Sequence, residues 1–429
     1  MIPSANQPAK PAKSPFLGID AKSLHAAGGP VSGEPSENRE LENIRRRYRL
    51  QRVASGLLFN PAAVPIYDQE YGVCKCHRSR LSDRVQLHRN VDGSGARFSG
   101  LDTCGSVWHC PVCAHGITNK RKAELVAGLV AARALGYEAH LLTLTHPHTA
   151  ELGAADQLAK QADARQRYKN CRAYKRIMAK YGRLGSICSL ETTHGKNGWH
   201  PHTHEIIFLR PGLLLNAADV DELRREWVRI LIKVGLGSVS DEADMLAHAF
   251  DLRDGTYAAE YIAKFGQDPQ GWQVADELTK SHSKMGGRKI GGGDHVTPFQ
   301  LLAQYADGNA KAGALFIEYA KAFQGKRMLT WSPGLKAKLG IGEQSDAELV
   351  ADDAAPDPRP AEEACGLLEA DDWRLVLERD ARGELLYITA RNGWPGVQAF
   401  LHELRHHRPK THRGDSECWV RKPWRPGPG

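Results

Sequence analysis

The sequence predicts an α+β protein: a central antiparallel sheet flanked by helices, preceded by a small cysteine-rich zinc knuckle and followed by helical and small C-terminal regions. Three observations predict it. Apolar, β-branched runs at residues 140–145, 185–193 and 199–209 are bounded by turn residues and read as strands. Apolar positions spaced three and four apart at 154–181, 220–234 and 298–323 read as amphipathic helices. Five of the nine cysteines crowd between Cys74 and Cys113, which in a reducing compartment reads as metal ligands rather than disulfides.

Composition sets the outer limits. A chain of 429 residues accommodates two or three domains with their own cores. Its hydrophobic share of 41% and charged share of 25% are ordinary for a soluble protein. No run approaches the roughly 20 apolar residues that a bilayer-spanning helix needs. The N-terminus lacks a signal-peptide core, so the expectation is a cytoplasmic protein with no membrane partner. A formal charge of +8 and a pI near 8.9 suit a polyanionic partner.

In order along the chain, residues 1–40 are rich in Pro, Ser, Gly and Ala and are expected to form a flexible tail. Residues 41–125 are read as a basic helix and zinc knuckle that bind DNA. The helix carries Arg45, Arg46, Arg47, Arg49 and Arg52, a composition that suits either phosphates or a solvated face. In the knuckle, Cys74 and Cys76 precede Cys104, Cys110 and Cys113, the last two spaced C-P-V-C. Such a turn holds two thiolates, and the upstream cysteines complete a tetrahedral Zn2+ site. The ligand set is therefore Cys104, Cys110 and Cys113 plus Cys74 or Cys76, with His77 and His109 as alternates. Lys120, Arg121 and Lys122 open the next helix and are read as DNA contacts. Residues 126–270 form the strand-rich domain, 271–343 a helical accessory region and 344–363 an acidic linker. Residues 364–429 are read as a small unit, with a hairpin turned at Arg382 and Gly383 before a helix, ending in a basic tail.

The chemistry concentrates in two stretches. Residues 199–209 read W-H-P-H-T-H-E-I-I-F-L, and His202 and His204, two apart on a strand, project from one face. Paired imidazoles make a half-site for a divalent cation. Asn197 and Gly198 signal a hairpin, which brings Glu191 of the preceding strand near the pair as a third ligand. Residues 256–265 read T-Y-A-A-E-Y-I-A-K-F, and on a helix Tyr257, Tyr261 and Lys264 share a narrow arc. A metal half-site and outward phenols beside basic helices point to phosphodiester chemistry. A phenol with a pKa of about 10 is a poor nucleophile unaided, and a cation that polarises the phosphate supplies the help. The product is a covalent phosphotyrosine and a free hydroxyl.

The order L-L-T-L-T (141–145), H-P-H-T-H (200–204) and Y-A-A-E-Y-I-A-K (257–264) resembles motifs one, two and three of the HUH endonucleases. More narrowly, it resembles the two-tyrosine rolling-circle replication initiators of plasmids and single-stranded DNA phages. The C-x5-C-P-V-C and W-S-P-G-L stretches are also similar to plasmid Rep proteins, so the likeness covers about residues 104–335. It implies an HUH-type catalytic domain that holds Mg2+ or Mn2+ on His202 and His204, with Glu191 matching a carboxylate found upstream in some members. Tyr261 would be the initiating nucleophile, Tyr257 the second, alternating tyrosine, and Lys264 a contact to the phosphate or leaving oxygen. The implied reaction nicks one strand at an origin, leaves a 5′-phosphotyrosine link and a free 3′-OH, and later rejoins the strand. Its partners would be single-stranded or origin DNA and a host helicase. Thr203 and Glu260 depart from the family pattern, which prefers a bulky apolar residue and often a lysine there. A rolling-circle transposase with the same chemistry and a non-catalytic zinc-dependent DNA-binding regulator are the competing expectations.

Overall fold

The computed structural model describes residues 36–63, 68–212, 215–253, 295–354 and 361–406. The tail at 1–35, the motif carrying Tyr257, Tyr261 and Lys264, and the basic stretch beyond 406 lie outside the described residues. The chain is an α+β protein with antiparallel sheets flanked by helices and a cysteine cluster toward the N-terminal region. The described residues divide into two compact units, one made of residues 36–120 together with 344–406, the other of residues between 121 and 343.

Helix α1 (Ser36–Leu58) is followed by strands β1 (Val85–Asn90) and β2 (Ala96–Ser99) and by α2 (Pro111–Ala134), within which the chain passes from one unit to the other. Next come β3 (Glu138–Leu144), α3 (Ala154–Asn170), α4 (Arg172–Lys180), β4 (Gly185–Gly195) and β5 (Gly198–Leu209). Helices α5 (Ala217–Val234) and α6 (Glu242–His248) lead to β6 (Phe250–Arg253). After residue 295 the chain forms α7 (Pro298–Ala306), α8 (Ala310–Phe323), β7 (Leu329–Trp331) and α9 (Leu335–Lys338). It then returns to the first unit with α10 (Asp346–Ala354), β8 (Glu362–Leu368), α11 (Ala370–Glu378) and α12 (Arg382–His406).

In the second unit the sheet order is β6-β3-β5-β4-β7, every pair antiparallel, so the histidine strand β5 is central. Alternation along β5 gives each face its own core. Ile206 and Phe208 pack with Leu125 of α2, Leu141, Ile187, Leu335 and Leu339 on one side. Ile207 and Leu209 pack with Tyr168, Ile177, Trp227 and Leu231 of α3, α4 and α5 on the other. Trp227 is fully buried, a contribution of about 1.5–3 kcal/mol for a large side chain, and its indole N–H donates to the Thr145 carbonyl at 3.0 Å. That bond anchors the end of β3 beside the histidines.

The β4–β5 turn is Lys196 and Asn197, with Gly195 paired to Gly198. Gly198 sits at φ +86°, and a Cβ there would come within 3.0 Å of Ala150, so glycine is required twice over. The helix expected over 154–181 is broken at Cys171, whose extended backbone (φ −67°, ψ 155°) ends α3 while its Sγ accepts the Tyr174 N–H to start α4. Asp219 of α5 then ties the layer together, accepting from Lys180 Nζ at 2.6 Å and the Tyr181 hydroxyl at 2.7 Å.

In the first unit the sheet order is β2-β1-β8, again antiparallel. Leu87, Phe98, Leu368, Trp373 and Leu385 form its core. The hairpin expected at Arg382 and Gly383 is instead the first turn of α12, and the strand of this region is β8, part of it within the stretch read as linker. The reason is close packing: a Cβ on Gly383 would lie 3.1 Å from the Arg45 backbone, so glycine here permits α12 to approach α1 rather than turning a hairpin. The arginines of α1 are correspondingly engaged, Arg45 with Glu384 at 2.6 Å and Arg52 with Asp380 at 3.4 Å.

Candidate metal centres

The register of the β4–β5 hairpin sets Glu191 directly opposite His202. Its carboxylate Oε2 lies 3.5 Å from His202 Nε2 and 3.9 Å from His204 Nε2, and all three side chains are largely buried. The Nδ1 atoms are occupied elsewhere. His202 Nδ1 donates to the His200 carbonyl at 3.2 Å, and His204 Nδ1 meets the Thr143 hydroxyl at 3.0 Å across the β3–β5 pairing. Fixing Nδ1 in this way turns both Nε2 atoms toward the carboxylate, the orientation found around bound cations. Glu191 Oε1 is buried without a hydrogen-bond partner, an orphan that a cation would satisfy. Burial alone would raise the Glu191 carboxyl, but the imidazoles of His204 and His202 hold it below its ordinary value. Conversely, burial would lower His202, yet Glu191 lifts it above its ordinary value, while His204 stays lowered by burial. Two imidazoles and a carboxylate thus fit one divalent cation with coordination positions left over.

A wider histidine cluster adjoins this group, which sequence reading had reduced to two imidazoles. His200 continues the same face of β5 as a third alternate residue, stacking on His202 at 5.2 Å and on His148 at 4.3 Å. The Thr145 hydroxyl meets His200 Nε2 at 2.6 Å. Burial pushes His146 and His148 down to about 4 and His200 well below its ordinary value, so these rings are neutral at pH 7. The signal was present in the sequence: Thr143 on β3 and Thr145 just past its end alternate as His200, His202 and His204 alternate on β5.

The cysteine unit builds a different centre. Cys76 follows a short 3-10 turn (Gly72–Cys74), Cys104 follows β2, and Cys110 and Cys113 flank the start of α2. Cys76 Sγ lies 3.4 Å from Cys113 Sγ and 3.7 Å from Cys110 Sγ, and Cys104 Sγ lies 3.6 Å from Cys113 Sγ. A tetrahedron with Zn–S bonds of about 2.3 Å has edges of roughly 3.8 Å, so the four thiols fit a single Zn2+ and are too close for an iron–sulfur cluster. Cys74 is not among the four: its thiol donates to the Ser55 carbonyl, and burial pushes it up to about 11. His77 and His109 are outside it as well; His77 Nδ1 meets the Tyr48 hydroxyl, and His109 packs edge-on against Tyr71. Behind the cluster, Gln51 of α1 donates to Cys110 Sγ at 3.3 Å and accepts from Arg382 of α12 at 2.9 Å. Arg382 is itself buried over the Tyr48 ring. This chain of donors spreads positive charge toward thiolate sulfur.

The three cations read as DNA contacts are engaged within the protein. Lys120 Nζ donates to the Leu349 carbonyl, Arg121 is buried against Glu124, and Lys122 is half-buried. Among the described residues, no helix is long and apolar enough to cross a membrane.

Comparison with known proteins finds two relatives from Streptomyces. It is 29% identical over 369 residues to a protein named "Protein rep" from Streptomyces lividans, covering 70% of this chain and 73% of that one. It is also 30% identical over 139 residues to a "Neomycin resistance protein" from Streptomyces cyanogenus, spanning 26% of this chain and 31% of the relative. No family model matches, and no solved structure matches.

Proposed function

We propose that this chain is a rolling-circle replication initiator of the two-tyrosine HUH type, a plasmid Rep protein that nicks and rejoins one DNA strand. The observation that carries the reading is the convergence of His202, His204 and Glu191 on one point of a central antiparallel sheet. The likeness to the Streptomyces lividans protein supports it.

In the proposed reaction the scissile phosphate lies against His202, His204 and Glu191. His202, His204 and Glu191 would hold a divalent cation, which when bound would supply Lewis-acid polarisation of the phosphate. The Tyr261 phenol gives up its proton as its oxygen attacks phosphorus, the P–O3′ bond breaks, and the departing oxygen takes up a proton to become a free 3′-OH, so no net proton is gained or lost. One phosphodiester is exchanged for one phosphotyrosine ester, so rejoining is the reverse attack by a 3′-OH. Tyr257 serves as the second nucleophile, and Lys264 contacts the phosphate or the leaving oxygen. The mixed donor set, two nitrogens and a carboxylate oxygen, favours Mn2+ over the harder Mg2+. The cysteine unit carries a structural Zn2+. The protein acts in the cytoplasm on origin DNA, with a host helicase to open the duplex.

The test is a labelled single-stranded origin oligonucleotide incubated with protein and Mn2+. The reading expects a covalent adduct that withstands denaturation, maps to Tyr261 or Tyr257 by mass spectrometry, and disappears in the Tyr257→Phe/Tyr261→Phe variant. An adduct persisting in that variant, or none in the wild type, overturns it.

A further inference from the structure

On the opposite face of the sheet from His202, at the β4–β7 edge, lies a cavity of about 330 Å3. Lys169 of α3, Arg183, Ser186 of β4, Thr330 of β7, Ser332 and Pro333 line it. No lining residue is acidic. Glu205, fully buried, pairs with Lys169 at 2.7 Å, and its charge also reaches Arg165 and the Ser186 hydroxyl, which leaves Arg183 as the lining cation that it does not offset. Arg165 approaches Cys188 Sγ at 2.9 Å on the cavity's inner wall, and Arg183 donates to the Ser186 hydroxyl at 2.7 Å. Among the described residues no carboxylate forms an ion pair with Arg165 or Arg183. The helices bearing Lys169 extend the same sign of charge: residues 154–183 hold nine lysines and arginines and two aspartates, with Arg172 and Lys175 exposed.

We infer that this cavity is a second nucleic-acid contact, taking the backbone phosphate and sugar of one nucleotide of single-stranded DNA. Its size lies at the small end of the ~300–1,000 Å3 typical of ligand pockets, enough for one nucleotide and far too little for a duplex. Guanidinium, ammonium and hydroxyl donors converge on the polar side of such a ligand, and Pro333 offers an apolar surface to the sugar. Because the cavity and the His202 group occupy opposite faces of one sheet, a strand bound here is held away from the scissile phosphate. The inference rests on the proposed DNA activity but not on the nicking step.

The experiment is fluorescence anisotropy of a labelled single-stranded oligonucleotide with the full chain, without added Mg2+ or Mn2+, over a salt series. Arg183→Gln removes one cation, and Thr330→Glu adds an anion at an exposed position while leaving Arg183 in place. Both should weaken binding by about tenfold, and Arg183→Gln should lower the salt slope by ~0.7, the value for one phosphate contact on a single strand. Arg229→Gln, whose guanidinium is already paired with Glu226 at 2.6 Å, should bind within about twofold of wild type, as fits a screened surface pair. Wild-type affinity in both cavity variants overturns the inference, as does wild-type protein that fails to bind the oligonucleotide. Competition by inorganic phosphate alone, with oligonucleotide binding unchanged in the variants, identifies a free-phosphate site and also overturns it. Wild-type protein that binds but never forms the tyrosine adduct leaves this contact standing while the nickase reading falls.

Discussion

The two ligand clusters differ in how many donors they supply and in what stands behind them. Cys76, Cys104, Cys110 and Cys113 fill a tetrahedron, and Gln51 and Arg382 brace it from two helices far apart in sequence. Glu191, His202 and His204 supply three donors from one hairpin, braced by the Thr143 hydroxyl and a backbone carbonyl, and leave positions for a ligand. A saturated sulfur site closes a small domain, whereas a three-donor nitrogen and oxygen site is built to take up a substrate oxygen. Loss of the first should therefore appear in folding and loss of the second in chemistry.

The largest expected effect follows from the first half of that contrast. Stripping metal from the cysteine unit, or Cys110→Ser, removes a stabilisation on the order of 10 kcal/mol and should abolish that unit's cooperative melting in calorimetry. Unchanged zinc content in Cys110→Ser would contradict the ligand assignment. Next, His202→Ala should reduce nicking by a factor of about 1,000 or more, equivalent to ~4 kcal/mol of barrier, while oligonucleotide affinity changes little. A parallel loss of binding would show that His202 anchors DNA. Lys169→Met should destabilise the sheet unit by about 3 kcal/mol, because it strands the buried Glu205 carboxylate, and thermal melting measures this directly. Thr143→Val should weaken Mn2+ binding by about 10–100-fold without a matching loss of stability, as expected when a hydroxyl orienting a ligand imidazole is removed. The smallest effect is that of Cys74→Ser, which should retain zinc and cost roughly 1 kcal/mol.

The two regions also differ in how far residue order disclosed them. The β4–β5 hairpin is local: a two-residue turn and strand alternation are enough to face Glu191 toward His202 and His204, and both features can be read from sequence. Thr143 lies 61 residues from His204, so only the β3–β5 register shows that its hydroxyl reaches the ring. The cysteine unit is assembled from distant pieces. Strand β8 pairs with β1 across more than 270 residues, and Arg382 reaches Gln51 across 331, contacts that no periodicity announces. The choice between Cys74 and Cys76 was likewise open, because the 3-10 turn that sends the Cys74 thiol toward Ser55 has no distinct residue pattern. Gly383 invited a turn in sequence, but its lack of a Cβ serves helix contact instead.

The central claim is that His202, His204 and Glu191 together hold one divalent cation. Electron paramagnetic resonance of the full chain titrated with Mn2+ tests it most directly, with the zinc site loaded beforehand. The account predicts one bound Mn2+ per chain in the wild type and none at the same concentrations in Glu191→Ala or His202→Ala, with both variants melting as folded proteins. Mn2+ bound equally well by wild type and variants would contradict it.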